Sequence, residues 1–416
     1  MNQNTNRDYY LNVLLILLSV FIQQSTVILN VNTSFSDIIV ILLCIYLYKR
    51  YRQCEHTHLK YVWIFFTVLL TYRIIITLIF VIFNHELNIG LKEICGSIFK
   101  ISMVFIYFLA GYHLTLYRKQ AVVFMKSYIV SSLVIASLCI IGMITHAPLL
   151  LEFCFYDIVR ARGLMNDPNY FALTQIVTLI LIFKFVKPFG LKMAAAIITI
   201  GAIFTSGSKT SLVILVILIG YYAIFLLLKI AKQSYKHLLI TLGLIMLMII
   251  STVKIIISNF EVIERIPSAA RMLSVFSEGT ASINVGGSNR ILVWQNGIDI
   301  IRYTYGFGIG LLEYTHVGQQ INNVGFVAHN TLIQIVAEWG AVFTIIFIYL
   351  LIQRLYQLLK VRKIQDNYNY LIIISGVIVI YSMTVSLNNS RYVALIIGLI
   401  FGIGKYISQK RSEVCE

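Results

Sequence analysis

The sequence predicts an all-α polytopic membrane protein with about 12 transmembrane helices and one large extracytoplasmic loop. The composition excludes a water-soluble globule, because 59% of the 416 residues are hydrophobic, 12% are charged and only four are proline. Apolar runs close to the roughly 20 residues that cross a bilayer recur along the whole chain. The connections between these runs alternate in basic charge, as they do when a chain crosses a membrane repeatedly.

The predicted spans leave one long gap ahead of the C-terminal runs. They lie near residues 10–29, 35–48, 61–83, 94–117, 121–145, 170–187, 190–205, 209–228, 237–257, 329–353, 369–387 and 391–408. The runs at 35–48 and 190–205 are short for a span. The gap divides the chain into an N-terminal bundle at 1–257 with about nine helices, an extracytoplasmic loop at 258–328, and about three helices at 329–416.

Basic residues predict the orientation of the chain. Every second connection is rich in lysine and arginine, and the positive-inside rule places these connections in the cytoplasm. They are 49–60, 117–120, 184–192, 229–237, 354–363 and the tail after 405. Both termini are therefore expected inside and the long loop outside. The net charge of +16 follows from the same bias, so nucleic acid is not an expected partner.

Several arginines fall on the predicted outer side, where the positive-inside bias does not account for them. They are Arg160, Arg162, Arg265, Arg271, Arg290, Arg302 and Arg391. A guanidinium group binds phosphate oxygens in a bidentate manner, so these residues are candidate anion ligands.

The first cluster on this side runs from Arg160 through Arg162 to Asn169, directly before an apolar run. Asn169 is predicted to cap the following helix, whose free N–H groups and dipole favour a bound anion. The alternative is an ordinary helix cap with two arginines that reach lipid headgroups.

A second polar segment, TSGSKTS at 205–211, separates two predicted spans. Its hydroxyl groups and Lys209 could bind a phosphate, but turns of this composition also serve only to reverse the chain.

The long loop holds a predicted helix from Asn289 to Arg302, capped by Ser288 and carrying Arg290 at its start. Its apolar residues follow helical spacing, which predicts that it lies against the membrane surface or the bundle. The segment GFGIG that follows lets the backbone approach a ligand closely at Gly308.

His329 and Asn330 open the next predicted span. A neutral histidine at a helix start is suited to take a proton from a sugar hydroxyl. The alternative is a His-Asn helix cap at the lipid interface.

Together these motifs resemble the O-antigen ligase and polysaccharide polymerase superfamily, which is similar to the wider GT-C class of membrane glycosyltransferases. The resemblance rests on R-x-R-G-x-x-N-x-P-N, the Ser/Lys turn, N-R-x-x-x-W, G-F-G-x-G, H-N-T and E-x-G, in that order between about residues 155 and 345. Two positions depart from the common pattern, Tyr305 in place of proline and Lys209 in place of arginine.

The resemblance implies a metal-independent, inverting glycosyltransferase without a cofactor, whose donor is a polyprenyl-diphosphate-linked oligosaccharide. His329 would act on the attacking hydroxyl and Arg290 would act with it at the reacting centre. The residues that would bind the diphosphate or the glycan are Arg160, Arg162, Asn169, Lys209, Arg302, Gly308 and Asn330. The predicted outer side lacks the concentrated carboxylates that Mg²⁺ or Mn²⁺ would need.

Within the superfamily the motifs fit two reactions. A polymerase of O-antigen or capsule repeat units in the bacterial cytoplasmic membrane is preferred, because the residue usage resembles that of such polymerases. A ligase that transfers the glycan to a separate acceptor is the alternative. A flippase or transporter is a third interpretation, but the chain lacks an internal repeat between its halves. The bilayer, a chain-length regulator and a flippase are the expected partners.

Overall fold

The structure, a computed structural model, describes residues 2–28, 31–51, 57–83, 90–115, 118–232, 234–259, 266–278, 289–362 and 368–415. Arg265 and the predicted cap Ser288 lie outside these ranges. Regular structure in the described residues is helical apart from two short two-stranded sheets.

Helices follow one another closely in the first half of the chain, as the apolar runs predict. They are α1 (Asn2–Phe21), α2 (Phe35–Tyr51), α3 (Thr57–Phe83), α4 (Leu91–Leu114), α5 (Arg118–Thr145), α6 (Pro148–Cys154), α7 (Pro168–Phe185), α8 (Phe189–Ser206) and α9 (Lys209–Ala231). Strands β1 (Thr26–Ile28) and β2 (Val31–Thr33) pair antiparallel, as do β3 (Phe155–Tyr156) and β4 (Arg160–Ala161).

The second half contains shorter helices among the long ones. They are α10 (Tyr235–Ser258), α11 (Pro267–Glu278), α12 (Arg290–Tyr303), α13 (Tyr314–Asn322), α14 (Thr331–Trp339), α15 (Ala341–Arg362), α16 (Asn369–Ser382) and α17 (Arg391–Cys415).

Among the described residues, seven helices are long and apolar enough to cross a membrane, and they include α8, one of the two short predicted spans. Further apolar stretches of 10–17 residues lie in α1, α2, α16 and α17. The chain is therefore an all-α polytopic membrane protein. The prediction of a single span at 329–353 is wrong, because Gly340, with φ of 82°, separates α14 from α15.

The described chain divides into two compact units. The first comprises Met1–Ser132, Ile180–Lys187 and Gly287–Glu416, and the second comprises Leu133–Leu179 and Pro188–Gly286. These boundaries follow packing, whereas the predicted division at 257 and 328 follows hydropathy and stays a prediction.

The most extensive helix pair in the first unit joins α4 to α17. Glycines line their contact: a Cβ atom on Gly398 would collide with the carbonyl group of Phe108, and one on Gly111 with that of Leu395. Gly398 and Gly402 form a G-x-x-x-G pattern, which lets membrane helices pack backbone against backbone. This pair provides a rigid element in the first unit.

An ion pair also ties α17 to α2. Arg391 Nε lies 2.5 Å from Asp37 Oδ1, and its Nη2 lies 2.8 Å from Asp37 Oδ2. The Tyr107 hydroxyl group donates to Asp37 Oδ1 at 3.0 Å. Arg391, which the sequence indicates as a candidate anion ligand, thus has a partner that holds helix ends together.

The core of the second unit surrounds the hairpin of β3 and β4. Phe155 and Ala161 of the hairpin pack with Cys139 of α5, Phe171 of α7 and Ala202 of α8. All five are at most 4% exposed. The core therefore fixes the position of the neighbouring Arg160.

Candidate functional site

Arg160 lies at the end of α8 in the second unit. The hairpin pairs Tyr156 with Arg160, and Asp157 and Ile158 form its tip with φ of 50° and 63°. Arg160 Nε donates to the carbonyl oxygen of Ser206, the last residue of α8, at 3.0 Å. Two segments that the sequence predicts separately, the R-x-R cluster and the Ser/Lys turn, are thus in contact within this unit.

The Ser/Lys turn is built largely by its own hydrogen bonds. Gly207 ends α8 with φ of 61°, and the Ser208 hydroxyl group accepts from the Ser211 amide at 3.4 Å as the N-cap of α9. The Thr205 and Ser206 hydroxyl groups donate to carbonyl groups of α8. The hydroxyl groups therefore serve the chain reversal, and Lys209 stands at the start of α9.

The start of α7 differs from the prediction. Asp167 Oδ1 accepts from the Asn169 amide at 2.6 Å, so Asp167 is the side chain that caps the helix. The prediction that Asn169 caps α7 is wrong, because Pro168 takes the first helical position and the preceding residue becomes the N-cap. The Asn169 side chain remains a candidate ligand.

Arg162 and Arg271 carry further positive charge in this unit. Arg162 Nη2 donates to the Glu152 carbonyl group at 3.3 Å, while its buried Nε has no hydrogen-bond partner among the described residues. Burial lowers the pKa of Arg271, and the charge of Asp167 opposes that change.

Helix α11, which carries Arg271, packs against α8 and α9. Its Ser268 backbone lies 3.3 Å from the position that a Cβ atom on Gly207 would take. The sequence indicates Arg271 only as one of several arginines on the predicted outer side. The structure places its helix beside the Ser/Lys turn.

In the first unit, α12 begins at Arg290, as the sequence predicts to within a residue. Its buried face consists of Val293, Asn296, Gly297 and Ile300. Asn296 Nδ2 donates to the Val324 carbonyl group at 3.3 Å. Arg302 lies at the other end, with a side chain that is 77% exposed and 3.5 Å from Asp299.

The GFGIG segment packs against protein backbone. A Cβ atom on Gly308 would lie 2.5 Å from the Gly340 nitrogen, and one on Gly310 would lie 2.6 Å from the Arg73 carbonyl oxygen. Both residues have positive φ, 83° and 68°. These contacts explain the glycines through packing, and the glycan-binding role of Gly308 stays a prediction. Tyr305 has φ of 50°, which proline could not adopt.

His329 and Asn330 precede α14. His329 has φ of 48° and is half-buried. The Asn330 side-chain oxygen caps α14, accepting from the amides of Leu332 at 3.0 Å and Ile333 at 3.2 Å. The Asn330 oxygen is thus used within the helix, which leaves its amide N–H groups for a ligand.

A buried polar network holds this region. Glu338 Oε1 accepts from Gln334 at 2.8 Å and from Asn388 at 3.0 Å, and Glu338 Oε2 lies 3.8 Å from Arg73 Nη2. Arg73 Nε donates to the Gly310 carbonyl oxygen at 2.7 Å. The network ties the glycine segment to α3 and α14.

Tyr314 lies near this network. Burial raises the pKa of its phenol, and the Glu338 charge raises it further. Arg73 and Glu338 are far apart in the sequence, and no local pattern indicates that they pair.

Replacing Arg73 with methionine is expected to destabilise the protein by about 3–5 kcal/mol, because Glu338 would stay buried without its counter-charge. Combining Arg73→Met with Glu338→Leu should restore most of this loss. Denaturant unfolding of the purified variants measures both effects. Arg302→Met is the matched control, since an exposed ion pair contributes at most about 1 kcal/mol. A single variant as stable as the wild type would contradict the assignment.

The predicted site residues thus lie in two units. Arg160, Arg162, Asn169 and Lys209 belong to the second unit. The first unit holds Arg290, Arg302, Gly308, His329 and Asn330. Among the described residues, no three His, Cys, Asp or Glu side chains are grouped as a metal site would need. The metal-independent mechanism stays a prediction.

Comparison with known proteins gives one family. Residues 194–348 match the family model described as O-antigen ligase. No curated protein matches the chain. The matched segment includes the Ser/Lys turn, α12, the glycine segment and the His329–Asn330 pair. The resemblance of the chain to the O-antigen ligase and polysaccharide polymerase superfamily is therefore confirmed over residues 194–348.

Proposed function

We propose that the chain is a polymerase that joins polyprenyl-diphosphate-linked oligosaccharide repeat units into a surface polysaccharide, on the outer side of the bacterial cytoplasmic membrane. The observation that carries this proposal is the O-antigen ligase match over residues 194–348. The matched segment contains Lys209 and Arg290, which are cations from two different motifs, and His329, which is the candidate base.

The donor would be held by positive charge. When the glycan leaves its carrier, negative charge develops on the diphosphate, and guanidinium groups stabilise that charge without a metal. The contact between Arg160 and the end of α8, and the packing of α11 beside the Ser/Lys turn, support a cation-rich site in the second unit. Arg162 and Arg290 are the further proposed diphosphate ligands, with Lys209 in support.

The acceptor hydroxyl group would lose its proton to His329. Its oxygen attacks the anomeric carbon from the face opposite the diphosphate, the glycosidic bond forms, and the carbon–oxygen bond to phosphate breaks with its electron pair on the leaving diphosphate. The configuration at the anomeric carbon is inverted. Asn330 and Gly308 would contact the glycan close to this histidine.

The orientation and the partners belong to the same proposal. Both termini are placed in the cytoplasm by the distribution of basic residues. A flippase would deliver the lipid-linked repeat unit, and a chain-length regulator would limit the product.

Incubating the purified protein with lipid-linked repeat units tests the proposal. A ladder of products on a gel is the expected result. Transfer that appears only after a separate acceptor is added would instead support a ligase, the second candidate, since the family match does not distinguish the two reactions. Unchanged substrate in both experiments would contradict the glycosyltransferase proposal and make transport the next function to test.

A further inference from the structure

A polar surface lies between α4 and α13 in the first unit, apart from the residues assigned above. Glu93 and Lys100 are seven residues apart on α4, and Glu313, His316 and Gln320 follow helical spacing at the start of α13. Residues at these spacings share one face of a helix. Two short polar faces therefore meet, and we call these five residues the α4–α13 polar surface.

The contacts across this surface are specific. His316 Nδ1 lies 2.8 Å from Glu93 Oε2, and Lys100 Nζ lies 3.3 Å from Glu313 Oε1. His316 Nε2 lies 2.8 Å from Gln320 Nε2. His316 thus lies between the Glu93 carboxylate and the Gln320 amide, and each of its ring nitrogens has a polar partner.

This surface is half open to its surroundings. The side chains of Glu93, Lys100, Glu313 and His316 are 28%, 24%, 39% and 32% exposed. Each carboxylate keeps unused lone pairs and the ammonium group keeps unused N–H donors. The surface therefore offers donors and acceptors to a ligand while its own geometry is held by the internal contacts.

Charge distinguishes this surface from the arginine-rich segments. The surface combines two carboxylates and one ammonium group with an imidazole and an amide. The carboxylates would repel a diphosphate. Hydroxyl groups, which both donate and accept, match this surface. The ligand class that this chemistry fits is a saccharide without phosphate.

The location relates this surface to the proposed base. On the buried face of α13, Tyr314 and Val317 lie in one hydrophobic cluster with Ala328, the residue before His329. Helix α13, which carries His316 and Gln320, is thus packed against the segment that leads to His329.

We propose that the α4–α13 polar surface is a subsite that binds hydroxyl groups of the acceptor glycan. The binding itself is inferred from the geometry of Glu93 and His316. That the bound glycan is the acceptor rests on the proposed glycosyltransferase function. A hydroxyl group that replaced the exposed Gln320 amide would hydrogen-bond to His316 Nε2, with Glu93 holding the ring in place.

An assay that supplies the donor and the acceptor as two different molecules tests the proposal. The donor is a lipid-linked repeat unit whose acceptor hydroxyl group is chemically blocked, and the acceptor is the same repeat unit as a methyl glycoside, which cannot donate. His316→Asn and Glu93→Gln are each expected to raise the acceptor KM roughly 10- to 100-fold, as loss of hydrogen bonds to a ligand does. The donor KM and kcat should stay close to the wild-type values.

Matched control variants test whether a change in the acceptor KM is specific to the α4–α13 polar surface. His237→Asn removes an exposed histidine from α10, and Gln319→Ala is the neighbour of Gln320→Ala on α13. Both controls should leave the acceptor KM unchanged, whereas Gln320→Ala should alter it. Because Gln320 is exposed, this variant remains informative if His316→Asn fails to fold.

Titration calorimetry with the methyl glycoside alone separates this inference from the proposed function. If the protein transfers no glycan but still binds the methyl glycoside in a manner that depends on His316, the polymerase proposal is overturned and the subsite proposal is supported. Efficient transfer with an unchanged acceptor KM in His316→Asn and Glu93→Gln would overturn the subsite. A lowered Tm with unchanged acceptor KM would likewise overturn it, because the contacts would then only hold α13 against α4.

Discussion

Replacing His329 with asparagine is expected to leave a folded protein that extends the glycan about 100- to 10,000-fold more slowly, the range that general-base catalysis typically supplies. The histidine precedes the N-cap of α14 and has φ of 48°. Asparagine tolerates that left-handed conformation better than alanine does, so His329→Asn removes the base with little backbone strain. His329→Ala should lose activity to the same extent and lose additional stability.

The measurement is the single-turnover rate of ladder formation from lipid-linked repeat units. His237→Asn in α10 is the control, because it removes an exposed imidazole next to a connection that is predicted to be cytoplasmic. Unfolding curves of the variants separate a lost base from a lost fold. Full activity in folded His329→Asn would show that another group takes the proton.

Local patterns predicted the positions of most helices. The helix predicted from Asn289 to Arg302 is found at Arg290–Tyr303. Its apolar residues have helical spacing, but Ile291, Leu292 and Ile298 are exposed and the buried face includes Asn296 and Gly297. The cap of α7 could also have been read from the sequence, since proline favours the first helical position and therefore marks Asp167 as the N-cap. The break at Gly340 was missed because average hydropathy continues through it.

Pairing between distant helices could not be predicted. Arg73 and Glu338 each stand alone within an apolar run, and no periodicity links one run to the other. Glu93 and His316 likewise lie in separate polar segments of the sequence, and no periodicity links them. Hydropathy shows that a charge is buried in the membrane, where it needs a partner, but only the fold identifies that partner.

These pairings also change how the glycine segment is understood. The sequence suggests that its glycines let the backbone approach a ligand. In the structure, Gly308 and Gly310 approach Gly340 and Arg73. The segment therefore acts as a spacer whose position is fixed by the buried Arg73–Glu338 network, and that position in turn sets the start of α13. The side chains that this framework carries would contact the substrate beside the proposed contact at Gly308.

Replacing Arg160 with methionine is expected to slow glycan transfer about 100- to 1,000-fold, as removal of a preorganised group that stabilises developing charge does. Methionine keeps much of the length of the side chain and removes the charge. Arg160→Lys should recover part of the rate, because an ammonium group supplies the charge without the bidentate geometry of guanidinium. The rate is measured at saturating acceptor and varied lipid-linked donor.

Arg160 also has a structural role that the experiment must separate. Its Nε donates to the Ser206 carbonyl oxygen at the end of α8, and a hydrogen bond from a charged group contributes about 1.5–3 kcal/mol. Lys192→Met, which removes a cation from the first turns of the same helix, controls for the change in charge. If Arg160→Met loses stability but keeps its rate at a temperature where it is folded, the arginine serves only to cap α8. If the rate falls in the folded variant and Lys192→Met is unaffected, the positive charge beside the Ser/Lys turn acts on the leaving diphosphate.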